Sequence, residues 1–75
     1  MGYFHLKRIG DVGADSYWVH ARTLEYARHL VARNVQEAVD AKNAALFTCE
    51  PSTRQMPSPN FIYRRLSGPV PITKR

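Results

Sequence analysis

All five prolines of this 75-residue chain lie after Glu50, and they divide it into two parts of different character. Proline has no backbone N–H, so it is confined to turns, extended segments and the edges or ends of strands. Charge divides at the same place, because all six acidic residues precede Pro51 while five of the eleven Lys/Arg residues follow it. We therefore expect a mixed-charge domain over residues 1–66, followed by a basic, extended C-terminal arm over residues 67–75.

Length and composition indicate one small folded domain. A hydrophobic fraction of 44% is that of a globular protein, although so short a chain can bury only a modest core. The single Cys49 excludes an internal disulfide and fits a reducing compartment. The sequence shows neither a signal-peptide pattern nor an apolar run long enough to span a membrane. We expect a cytoplasmic protein with no membrane partner.

The first part of the chain has the pattern of a β-hairpin. Residues 3–9 and 16–22 alternate between apolar and polar side chains and are rich in aromatic and branched residues. The segment between them, residues 10–15, contains two glycines and two aspartates, as loops often do. We expect two antiparallel strands joined by this loop.

A helix should follow the hairpin. Thr23 is a suitable N-cap, and Glu25 lies in the first turn, where the helix dipole favours a negative charge. The apolar stripe at helical spacing consists of Leu24, Ala27, Leu30, Val31, Val35 and Ala38. The sequence leaves two ends open: the helix can stop near Asn34, or it can continue to about Asn43.

Two further strands are predicted after the helix. Residues 45–50 favour a strand that stops at Pro51, with Phe47 and Cys49 facing inward, and residues 61–66 favour another. The predicted fold class is α+β, with a small antiparallel sheet of three or four strands in the order ββαβ or ββαββ. One main helix would pack on one face of this sheet.

Strand alternation predicts what each face of the sheet carries. The side chains expected to face the helix are Phe4, Leu6, Tyr17, Val19, Ala21, Ile62 and Leu66. The opposite face would then hold Tyr3, His5, Lys7, Trp18, His20, Arg22, Phe61, Tyr63 and Arg65. One helix covers one face only, so we expect this mixture of rings and bases to be open to solvent.

Such a face suits two kinds of partner. Trp, Tyr and Arg dominate protein–protein hot spots, so a larger protein or protein complex is the first hypothesis, with Trp18, Tyr63 and Arg22 as anchors. Rings interleaved with bases can also stack on the bases of RNA or single-stranded DNA and neutralise phosphates, which is the alternative. A plain strand surface is also compatible with the pattern, and a register shifted by one residue would bury Trp18 instead.

The bases near the C-terminus complete the binding hypothesis. Arg64, Lys74 and Arg75, together with Arg65, are expected to steer a negative partner by charge. The strand–strand–helix–strand layout resembles that of many small proteins from phages and mobile elements, some of which bind and disable host enzymes. The likeness is one of size and layout, without a shared motif. If the chain docks on a larger macromolecule as expected, occlusion or competition would be its mechanism.

We found no pattern that predicts catalysis. The three histidines and Cys49 lack the spacing of metal ligands, and no phosphate-binding loop or dinucleotide fingerprint is present. The six carboxylates are scattered, and so small a domain offers little room for a substrate pocket. We therefore expect a non-enzymatic protein without a metal or cofactor. A homodimer formed through the open sheet edge is a third hypothesis.

Overall fold

The computed structural model describes residues 2–73 as five antiparallel strands and one α-helix packed on one face of the sheet. The elements are β1 (Gly2–Arg8), β2 (Ser16–Ala21), α1 (Leu24–Asn34), a 3₁₀ turn (Gln36–Ala38), β3 (Phe47–Ser52), β4 (Phe61–Arg64) and β5 (Val70–Pro71). The strands lie side by side in the order β3-β1-β2-β4-β5. The α+β class is confirmed, but the predicted count of three or four strands was too low.

The hairpin of β1 and β2 has the predicted register. Tyr3 pairs with His20 and His5 pairs with Trp18. Gly10 begins the connecting turn with a φ of 81°, a left-handed conformation that glycine adopts without strain. Tyr17 is buried toward the helix, whereas Trp18 lies on the other face. The alternative register, which would have buried Trp18 in the core, is therefore excluded.

Helix α1 is preceded by the polar N-cap Thr23 and ends at the polar Asn34. The hydroxyl of Thr23 accepts a hydrogen bond from the backbone N–H of Tyr26 at 3.1 Å, which confirms the predicted N-cap. The helix stops at Asn34, the earlier of the two predicted ends, because Val35 takes an extended conformation. The side-chain amide of Asn34 donates to the carbonyl of Leu30 at 2.9 Å, so this side chain folds back onto the last turn of the helix.

Two predictions for the C-terminal third were wrong. Strand β3 does not stop at Pro51 but runs on to Ser52. This is possible because β3 lies at the edge of the sheet, where a backbone N–H on the outer side has no neighbouring strand to donate to. Strand β4 ends at Arg64, so Leu66 lies outside the sheet and is 60% exposed instead of facing the helix.

Regular structure also continues beyond the predicted domain end at residue 66. Val70 pairs with Ile62 to form β5, and the backbone N–H of Ile72 donates to the carbonyl of Asn60 at 2.9 Å. The N–H of Thr73 reaches the side chain of Asn34 at 2.8 Å. The proposed division into a domain and an arm stays a prediction, but residues 70–73 are bonded to the rest of the fold.

The core lies between α1 and the sheet. Its buried members are Leu6, Tyr17, Val19, Ala21, Ala27, Leu30, Val31, Val35, Ala38, Ala41, Phe47, Cys49 and Ile62. Most of these side chains come from strand positions of one parity and from the predicted helix stripe, so local periodicity accounts for most of the core. Within residues 2–73, no helix has the length and apolarity needed to cross a membrane.

Candidate functional site: the aromatic face of the sheet

Six rings lie on the sheet face opposite α1, and we call them the aromatic face: Tyr3, His5, Trp18, His20, Phe61 and Tyr63. They come from three adjacent strands, β1, β2 and β4, because residues of one parity on paired strands point to the same side. His5, Trp18 and Tyr63 form one row across these strands, since His5 pairs with Trp18 and Trp18 pairs with Tyr63.

The rings contact one another instead of standing apart. The rings of His5 and Trp18 are stacked, with centroids 4.6 Å apart and planes inclined by 17°. Tyr3 and His20 meet edge to face at 5.0 Å. Such pairs stabilise a sheet as well as presenting apolar surface, and these rings are packed against one another without a partner present.

A loop crosses part of this face, and we call it the strap (residues 53–60). The guanidinium of Arg54 lies 4.9 Å from the centroid of the Trp18 ring, as a cation over an aromatic face. The hydroxyl of Tyr3 donates to the carbonyl of Met56 at 3.4 Å. Tyr3 is only 7% exposed as a result, so the expectation of a fully open face was wrong on the β1 side.

His5 lies in the covered part of the face. Burial lowers its pKa from the ordinary value of 6.5, and the positive charges of Lys7 and Arg54 lower it further, against the opposing effect of Glu50. Its Nε2 atom is buried and has no hydrogen-bond partner among the described residues. His5 therefore behaves as a neutral ring that supports Trp18.

Charged side chains surround the rings. Lys7 extends the β1 side of the face, and Glu50 on β3 pairs with His5 and so lies on the same face. The backbone N–H of Arg65 donates to the carbonyl of Ser16 on β2, so the strand pairing continues to Arg65. Arg65 lies two residues after Tyr63 and therefore on the same side of the sheet. One guanidinium nitrogen of Arg65 also donates to the carbonyl of Ala14 at 3.1 Å, which holds the side chain near the hairpin loop.

Arg22, the anchor predicted at the end of β2, lies beside a depression in the surface. Arg22 is exposed and follows Ala21 directly, so it extends the aromatic face beyond the last pair of β2. The depression at the start of α1 is lined by His20, Ala21, Arg22, Thr23 and Tyr26. Arg22 is thus placed where it can meet a group that lies over His20.

The residues predicted to steer a partner are placed differently. Arg64 points toward the helical side, where its Nη1 lies 2.6 Å from a carboxylate oxygen of Glu37 and its Nε donates to the carbonyl of Gly68 at 2.7 Å. Its charge is therefore neutralised locally. Lys74 and Arg75 lie outside the described residues, and their steering role stays a prediction.

Three members of the site were not among the predicted anchors. His5 was placed on the correct face but given no role, because periodicity does not show that its neighbour in space is Trp18. Arg54 and Glu50 were missed because the path of a polar loop and the partner of an edge strand depend on tertiary structure. Their charges were visible in the sequence, but no local signal indicated this location.

Two features of the described residues bear on catalysis: the grouping of metal-ligating side chains and the state of the Cys49 thiol. Among residues 2–73, no three His, Cys, Asp or Glu side chains are grouped so that they could hold a metal ion. Cys49 is buried beside the carbonyl of Leu24, and burial raises the pKa of its thiol, which disfavours the nucleophilic thiolate.

Comparison with known proteins does not connect this surface to a family. No protein-family model matches the chain, and neither the curated proteins nor the solved structures show significant similarity to it.

Proposed function

We propose that this chain is a non-catalytic binding protein that docks on a larger protein through the aromatic face. The observation that carries the proposal is the row of His5, Trp18 and Tyr63 across three strands, on the side of the sheet that the helix leaves uncovered. A pre-packed group of rings next to arginines is the composition of a hot spot, because large apolar area is buried there at little cost in side-chain entropy.

Three features support a protein partner over a single-stranded nucleic acid. Arg54 already lies over the Trp18 ring, where a base would otherwise stack. The carboxylate of Glu50 lies on the same face and would repel phosphates. The strap closes the face beside Tyr3, which shortens the platform available to successive bases. Occlusion of a site on the partner would be the mechanism of action.

The proposal is tested by capture with matched variants. We expect Trp18→Ala and Tyr63→Ala each to weaken binding of a captured partner by about 2 kcal/mol or more, roughly 30-fold, because both rings would be buried at the centre of the interface. Purified protein immobilised on beads is incubated with lysate. The retained proteins are identified by mass spectrometry, and the affinity of each for the variants is then measured.

The control is Val39→Ala, which removes apolar surface that is 68% exposed just after the 3₁₀ turn and lies outside both the row and the depression beside His20. Circular dichroism establishes that each variant is folded. A partner that binds Trp18→Ala and Tyr63→Ala as tightly as the unmodified chain would show that the aromatic face is not the docking surface.

A further inference from the structure

Within residues 2–73, the net charge is concentrated around the aromatic face. Leaving out Lys74 and Arg75, nine Lys/Arg and all six Asp/Glu residues belong to the described part of the chain, a net charge of +3. Four of these bases lie on or around the aromatic face, namely Lys7, Arg22, Arg54 and Arg65. One of the acids, Glu50, lies there as well. These five residues account for the whole +3, because the five bases and five acids elsewhere cancel.

Some of the opposite charges elsewhere in the molecule are joined in ion pairs. Arg8 holds Asp40 through two hydrogen bonds of 3.0 and 3.2 Å, and Arg64 holds Glu37 on the same side of the sheet. Ion pairs of this kind leave little field to attract a partner. Among the described residues, no salt bridge joins Lys7, Arg22, Arg54 or Arg65 to an acid, so the surroundings of the aromatic face carry an excess of positive charge.

We propose that the occupant of this face is an acidic protein segment that carries an aromatic or other large apolar side chain. This inference rests on the proposed function and specifies the chemistry of the partner. Carboxylates of the segment would pair with Lys7 and Arg22 at the rim, while its apolar side chain would pack against Trp18 and Tyr63. Complementary charge of this kind sets orientation and raises the rate of association.

The single acid on the face is consistent with a protein occupant. Glu50 can accept a hydrogen bond from a backbone N–H or a basic side chain of an extended peptide, because such a segment offers donors between its carboxylates. A phosphate backbone presents one acceptor group after another and offers no donor at that position. The test therefore includes a nucleic acid as a competing outcome.

The experiment uses two short fluorescein-labelled peptides, one of alternating Glu and Tyr and one of alternating Lys and Tyr, together with labelled oligo(dT). Each is titrated with the full chain at physiological ionic strength, and anisotropy reports binding. We expect the Glu–Tyr peptide to bind at least about tenfold more tightly than the Lys–Tyr peptide, since two favourable rim contacts become repulsive in the latter.

Two double variants, each of which removes two positive charges, distinguish attraction by the aromatic face from attraction by the net charge of the whole protein. Lys7→Gln/Arg22→Gln removes two exposed charges from the aromatic face, and Arg33→Gln/Lys42→Gln removes two exposed charges elsewhere. We expect the first to weaken binding of the Glu–Tyr peptide about fivefold or more and the second to change it less than about twofold, because exposed charges that do not touch the bound peptide are screened by salt.

Three results would overturn the inference: equal effects of the two double variants, binding of the Lys–Tyr peptide as tightly as the Glu–Tyr peptide, or failure of the chain to bind the Glu–Tyr peptide at all. Tighter binding of oligo(dT) that is lost in Trp18→Ala would assign the face to nucleic acid instead. The proposed function fails on a separate result, which is the capture of a protein partner unaffected by Trp18→Ala and Tyr63→Ala.

Discussion

At the scale of single residues, His5 is the position where sequence pattern and local environment differ most. Its place in an alternating strand predicts an ordinary polar position. In the fold its ring is stacked on Trp18, its Nε2 atom is buried without a partner among residues 2–73, and Arg54 is close enough to lower its pKa. The environment therefore favours the neutral ring and penalises the protonated one.

This environment predicts how stability depends on pH. The folded pKa of His5 lies below 6.5, so between these two values the unfolded chain binds a proton that the folded chain does not. The contribution of His5 to the free energy of unfolding is therefore most favourable above pH 6.5. It decreases as the pH falls through this window and stays constant below the folded pKa. His5→Phe should remove this dependence and raise the free energy of unfolding by up to about 1 kcal/mol, because the unpaired nitrogen is lost while the stacked ring remains.

Urea unfolding at a series of pH values measures both effects. His29→Phe is the matched control, because it also removes one of the three histidines but lies on α1, where its ring stacks on Tyr26. A His5→Phe variant that keeps the full pH dependence of the unmodified chain would show that another group is responsible.

At the scale of elements, the strap differs from the strands that it connects. Its internal hydrogen bonds are local, as in the donation from the N–H of Asn60 to the hydroxyl of Ser58, and its contacts with the aromatic face pass through Arg54 and Met56. Pro57 and Pro59 remove two N–H donors from the same segment. A loop held by so few contacts can open at lower cost than the sheet below it.

Opening of the strap can be measured through Trp18, the single tryptophan of the chain. We expect Arg54→Ala to increase the quenching of Trp18 fluorescence by acrylamide, because the side chain that covers one part of the indole ring is removed. The free energy of unfolding should fall by less than about 1 kcal/mol, the usual contribution of an exposed cation–π contact.

Arg33→Ala, an exposed arginine on α1, should leave the quenching unchanged. Equal quenching in the unmodified chain and in Arg54→Ala would mean that the strap stays in place without this contact, or that it does not shield Trp18.

At the scale of the whole molecule, both edges of the sheet are poorly suited to pairing with another strand. At the β3 edge, Pro51 has no N–H, and the guanidinium of Arg28 donates to the carbonyl of Phe47 at 2.9 Å. At the other edge, β5 is only two residues long and one of them is Pro71. Prolines, charges and short strands at an edge are common means of preventing unwanted strand addition.

The hypothesis of a homodimer formed through the sheet edge is therefore disfavoured, and we expect a monomer across a wide range of concentration. Pro51→Val/Arg28→Met should increase self-association, because it restores an N–H donor and frees the carbonyl of Phe47. Size-exclusion chromatography with light scattering measures the mass of both proteins. A dimer of the unmodified chain that persists on dilution would contradict the expectation.

Much of the fold could be predicted because its signals are local. Alternation in residues 3–9 and 16–22 established the hairpin and its two faces, and Thr23 marked the start of the helix. The ends of elements were less predictable. Strand β3 continues through Pro51 because it lies at the edge of the sheet, and β5 forms because it pairs with β4. The position of a strand in the sheet and the identity of its partner are not visible in the neighbouring residues of the sequence.

Local sequence patterns were enough to specify the α+β class, the inward-facing residues of the hairpin and the set of rings on the opposite face, because strand and helix periods depend on near neighbours in the chain. Only the tertiary structure decided which of those rings remain accessible. Met56 covers Tyr3, Arg54 lies over Trp18, and Glu37 neutralises Arg64. These contacts join residues far apart in sequence, and their energies depend on distances in space that no local pattern specifies.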